Sequence, residues 1–89
     1  MTIYHVSFGF SGKQIAIEDV QKVLAGDGWA RYAPNCWIVE TNESAQLLTM
    51  RLRALCQSTD SLFICELNLK NNFGYLHQEI WDWINARTR

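Results

Sequence analysis

The stretch Asn35-Cys36-Trp37-Ile38-Val39-Glu40-Thr41-Asn42 decides the fold. It reads as one buried strand that runs out into a helix start. Pro34-Asn35 ahead of it makes a tight turn, so the short apolar segment Trp29 to Ala33 returns as its hairpin partner. Asn42 or Ser44 behind it can cap a helix whose apolar positions are Ala45, Leu48, Leu52, Leu55 and Cys56.

Working outward toward the N-terminus, Thr2 to Phe8 alternates. Tyr4, Val6 and Phe8 point one way, and Ile3, His5 and Ser7 the other, the period of a strand. Gly9-Phe10-Ser11-Gly12-Lys13 is a loop. Its G-x-x-G-K string falls short of a phosphate loop, which needs four residues between the glycines and Ser or Thr after the Lys. Helical spacing of Ile17, Val20, Val23 and Leu24 follows, with Glu18 and Asp19 in the first turn, where the helix dipole favours acids. Gly26 is then expected to end the helix in a left-handed cap.

Toward the C-terminus, Leu62-Phe63-Ile64-Cys65 is apolar on both faces and expected to be buried. The strand is expected to run on to about Leu69 with one wet face. After the loop Asn71-Asn72-Phe73-Gly74, a helix is expected over 75–86, with Leu76, Ile80, Trp83 and Ile84 on one face. Arg87 and Arg89 stand at its C-terminal end, the favourable end for cations. Strands near 2–8, 29–33, 36–41 and 62–69 alternate with helices near 16–25, 44–57 and 75–86. The order is β-α-β-β-α-β plus a helix. The expectation is a single α+β domain over 1–89, a ferredoxin-like βαββαβ sandwich with an added C-terminal helix.

Composition narrows the function classes. The chain has 89 residues, so one small domain buries only ~60% of its unfolded surface. Yet 48% of it is hydrophobic, with four Trp, four Phe and three Tyr. That load favours a second buried face in a homodimer. The net charge of −1 lacks the basic excess usual in a nucleic-acid binder. Cys36, Cys56 and Cys65 show no C-x-x-C spacing and read as small buried thiols in a reducing compartment. No signal peptide and no membrane-spanning run are visible, so a cytoplasmic protein is expected. No cofactor and no metal site are expected.

Several segments together resemble a family. They are Tyr4-His5-Val6-Ser7-Phe8, Cys36-Trp37-Ile38-Val39-Glu40-Thr41 followed by Ser44-Ala45, the helix to Leu55, the strand from Leu62 to Leu67, and Trp81-Asp82-Trp83-Ile84. The chain resembles the short SinR-like proteins related to the CRISPR-associated adaptation subunit (the second Cas family) and to virulence-associated protein D. The resemblance implies ferredoxin-like protomers that pair into homodimers. Some members of that superfamily cut RNA or DNA with a divalent metal held near an Asp at the end of the first strand. Gly9 stands where that Asp is expected, and the nearest acids in sequence are Glu18 and Asp19. Without the carboxylate a hard cation lacks its oxygen ligand.

The remaining candidates each have a plain structural alternative. His5 and Ser7 share a strand face and could do acid–base work on a phosphodiester, or simply line a dimer seam. Arg31, Arg51 and Arg53 could contact phosphates, or form a solvated face. Glu40 and Glu66 could meet as paired carboxylates, or be edge charges. His77 and Trp81, one helical turn apart, read as packing. Trp29, Trp37, Trp81 and Trp83 read as core and interface anchors, with a base-stacking platform as the sharper alternative. Three functions follow: a dimeric interaction or scaffold protein that holds a protein partner, a nuclease or toxin-type endoribonuclease, and a duplex nucleic-acid binder.

Overall fold

A computed structural model describes residues 1–87. The elements are β1 (Thr2–Gly9), α1 (Ile17–Val23), β2 (Gly28–Ala33), β3 (Cys36–Thr41), α2 (Ala45–Arg53), β4 (Ser61–Glu66) and α3 (Gln78–Arg87). The four strands form one antiparallel sheet in the order β2-β3-β1-β4. This is an α+β fold with helices on both faces. Arg89, expected beside Arg87, lies outside the described residues. Among the described residues no helix is long and apolar enough to cross a membrane.

The period-2 pattern of β1 sets the two layers. Tyr4, Val6 and Phe8 are buried with Trp37 and Val39 of β3, and with Val20, Leu24, Leu48 and Leu52 from α1, its C-cap and α2. The opposite face packs Ala30 and Ile38 against Ile80 and Ile84 of α3. Each buried Val, Leu, Ile or Phe among them contributes about 1.5–3 kcal/mol on burial.

Local chemistry explains where the helices start and stop. Ser44 Oγ accepts the Leu47 N–H at 3.2 Å and so caps α2. Beyond Arg53 the chain tightens into i→i+3 turns, with Leu55 N donating to Leu52 O and Cys56 N to Arg53 O, both at 3.0 Å. The helix therefore stops well short of Gln57. No side chain caps α1, and its first-turn acids Glu18 and Asp19 face the helix dipole instead. Gly26 does not take the expected left-handed cap, since no glycine has positive φ. The turn closes through Asp27 N donating to Leu24 O at 2.9 Å.

Strand β4 departs most from expectation. It ends at Glu66, and only the Leu67 N–H still reaches β1, donating to Ile3 O at 2.8 Å. Asn68 Oδ1 then accepts the Lys70 N–H at 3.1 Å and turns the chain, a local bond that competes with the ladder. Nor is the first half buried on both faces. Leu62 and Ile64 pack on the core, whereas Phe63 is 62% exposed and Cys65 is exposed. The helix α3 starts at Gln78 rather than near 75, with the His77 carbonyl accepting from Ile80 N at 3.0 Å and Trp81 N at 3.3 Å.

Leu48 is fully buried between α2 and the sheet. Leu48→Ala should cost about 2–5 kcal/mol in urea unfolding, and Ser44→Ala about 1 kcal/mol through the lost cap. Equal and negligible costs would contradict this packing.

Candidate functional site

The register places His5 between Ile38 of β3 and Cys65 of β4, and Ser7 between Cys36 and Phe63. All six side chains lie on the face that α3 shares. That helix is ten residues long and packs on Ala30 and Ile38, so Phe63 and Cys65 are left open. A register shift between Arg31 and Ala33 in β2 accompanies the placement of Tyr32 on the same side. Tyr32 OH and His5 Nε2 are 2.5 Å apart, and the rings are tilted at 39° with centroids 5.8 Å apart.

Burial pushes the Tyr32 phenol up to about 12, and the neighbouring Cys36 thiol adds to the shift. The phenol therefore keeps its proton at neutral pH and holds the imidazole by a single shared hydrogen bond. His5 bonds to Tyr32 and not to Ser7, so the structure does not assemble a His–hydroxyl pair from the two. Beside His5 and Tyr32 opens a cavity of about 310 Å³. Ile38, Leu67, Leu69, Leu76, Trp81 and Ile84 supply its apolar walls, and Asn68, Asn71 and Asn72 stand around it with Phe73.

The three arginines have separate tasks. Arg51 pairs with Asp27 at 3.2 Å and with Glu43, and also donates to the Val23 carbonyl at the end of α1. It ties α2 to α1 and to the turn after it. Arg31 donates to Pro34 O at 3.1 and 3.2 Å across the hairpin turn, with its guanidinium 6.0 Å from the Trp37 ring centroid. Arg53 donates to Gln57 O at 2.8 Å. Glu40 faces the α3 side and meets Arg87 at 3.4 Å, whereas Glu66 pairs with Tyr4 in register and so faces the other side. The two carboxylates do not form a pair.

At the end of β1, a Cβ on Gly9 would approach Ser61 Cβ to 3.3 Å, so a larger side chain there would crowd β4. The acid that reaches this loop is Asp60, which accepts from Ser11 N at 3.2 Å and Gln57 N at 2.8 Å. Those two N–H groups, Gln57 first, hold its carboxyl below the usual carboxylate range. Among the described residues no group of three or more His, Cys, Asp or Glu is placed to hold a metal ion.

The tryptophans divide. Trp29 and Trp37 meet edge-on with centroids 5.1 Å apart in the α1/α2 layer. Trp83 lies under the Arg87 guanidinium, 3.6 Å from ring centroid to Cζ. Trp81 lines the cavity. The His77 side chain is exposed and does not pack on Trp81's layer. Of the thiols, Cys36 and Cys56 are half-buried and Cys65 is exposed, so the expected burial fails at Cys65.

No protein-family model, curated protein or solved structure matches the chain. The geometry alone therefore carries the site. Sequence reading found His5 but missed Tyr32, because the two lie on strands separated by β3 and only the strand order brings them together. It also missed Asp60 and the asparagines, which carry no spacing signal.

The Tyr32 shift has a sign that can be measured. The folded state holds the phenolic proton more tightly than the unfolded chain, whose tyrosine ionises near 10.0. The stabilisation is complete below that pH and is lost as pH rises toward 12. Tyrosinate absorbance should show a late step near pH 12 that is missing in Tyr32→Phe. Identical titration curves for the two proteins would contradict the burial of Tyr32 beside Cys36.

Proposed function

We propose that the chain is a homodimeric interaction protein built on a ferredoxin-like fold, of the kind its sequence resembles. The strand order β2-β3-β1-β4 with α1 and α2 on one face supports the fold assignment. The observation that carries the function is the state of the two sheet edges. Edge strand β2 has a register shift, the charged Arg31 and a terminal Pro34, all devices that discourage strand addition. Edge strand β4 has no register shift and no proline, carries its one charge, Glu66, at its last position, and presents Phe63 at 62% exposure.

A second copy fits this edge. Antiparallel β4 strands related by a twofold axis satisfy each other's free backbone groups and extend the sheet across both protomers. Phe63 and Cys65 of each copy would then lie along a shared apolar seam. His5 and Ser7, one strand inward, border that seam. A protein partner held by such a dimer is the scaffold role. The nuclease reading has less to rest on: Gly9 replaces the acid, and His5 is bonded to Tyr32. The nucleic-acid reading has less too, since Arg31, Arg51 and Arg53 are each engaged within the fold.

Light scattering at micromolar concentration should give about twice the 10.3 kDa chain mass. Phe63→Glu should give the monomer mass with the protomer still folded, because the side chain is exposed within the protomer. A wild-type monomer, or a Phe63→Glu dimer, would overturn the proposal.

A further inference from the structure

Dimerisation at β4 leaves the cavity beside His5 and Tyr32 unexplained, and its chemistry differs from that of the seam. The volume of about 310 Å³ sits at the small end of the ~300–1,000 Å³ typical of ligand sites. It has room for a ligand of one or two rings. Among the described residues no Asp, Glu, Lys or Arg lines it, so a charged ligand would find no counter-charge from them. Trp81 and Tyr32 give it aromatic surface, which favours a planar occupant.

Its polar groups have bonding capacity left over. Asn68 uses its Oδ1 on Lys70 N, leaving the Nδ2 donors. Asn72 donates through Nδ2 to Leu69 O at 2.5 Å, leaving its Oδ1 as acceptor. Asn71 makes no hydrogen bond among the described residues and keeps both halves of its amide. His5 uses Nε2 on Tyr32, leaving Nδ1. Donors and acceptors are thus offered together around an apolar, aromatic-walled space. Phe73, also at the cavity, is 99% exposed and packs on nothing. A large ring held in water beside a cavity is a surface that a bound ligand would cover.

We propose that this cavity binds an uncharged nitrogen heterocycle of about nucleobase size, with Trp81 and Tyr32 against its ring and the amides of Asn71 and Asn72 on its polar edge. Two sources share this chemistry, a free heterocycle and a base in a single strand. The inference does not rest on the dimer, and Phe63→Glu should bind equally well.

The test is amide and indole NMR of the full chain, titrated with adenosine, uridine, nicotinamide and a short single-stranded oligonucleotide. Ribose 5-phosphate serves as the control. A ligand this small should bind with Kd on the order of 1 mM or tighter. Saturable shifts at Asn71, Asn72 and the Trp81 indole are expected with the free heterocycles. The same residues responding only to the oligonucleotide would assign the site to a base within a strand. Asn71→Ala, an exposed change that leaves the fold intact, and His5→Phe should each weaken binding several-fold. The proposal is overturned if neither source shifts those residues. It is also overturned if ribose 5-phosphate shifts them equally, or if both variants bind as the wild type does.

Discussion

Strand β1 is hydrogen-bonded along both edges and packed on both faces, and the rest of the chain is arranged around that double constraint. Its pairing with β3 on one side and β4 on the other makes it an inner strand. Its alternation then commits Tyr4, Val6 and Phe8 to one layer and Ile3, His5 and Ser7 to the other. The first layer is closed by two helices and holds Trp37, Leu48 and Leu52 at essentially no exposure. The second is closed only in part. α3 covers the β2/β3 half through Ile80 and Ile84, and leaves the β4 half bare. A polar pair such as His5 and Tyr32 is tolerated where cover thins, because each partner satisfies the other. The candidate site and the open edge are thus two consequences of one incomplete layer.

Ion pairs hold the helical layers in place. Arg51 joins Glu43, Asp27 and the end of α1, with side chains half-buried or better, so its charge is spent on the joint between α1 and α2. Arg87 is held over Trp83 and beside Glu40, filling the space above Gly28, where a Cβ would come within 3.0 Å of its Nη2.

The β1 alternation, the tight turn at Pro34-Asn35 and the switch to helical spacing at Ser44 were legible from the residues alone. Each depends on local period or turn chemistry. What was not legible depends on neighbours. Cys65 and Phe63 sit in an apolar run that reads as buried, yet they lie on an edge strand whose outer face nothing covers among the described residues. Asn68 ends β4 through a side-chain bond to Lys70 that no hydrophobic pattern signals. Tyr32 reaches His5 across β3, from the same face as Ala30, and that contact depends on strand order rather than on local pattern. His5 meets the hydroxyl of Tyr32 and not that of Ser7, its neighbour two residues along the same strand.

The central claim is that the free edge of β4 is completed by a second copy. Hydrogen–deuterium exchange of the Leu62 to Cys65 amides, followed over a range of protein concentrations, tests it most directly. In a lone protomer every second amide of an edge strand faces water and exchanges fast, while β1 amides stay protected. The account predicts that at high concentration all β4 amides approach the protection of β1, and that dilution selectively releases the outward set. Exchange in β4 that stays fast and independent of concentration would contradict it.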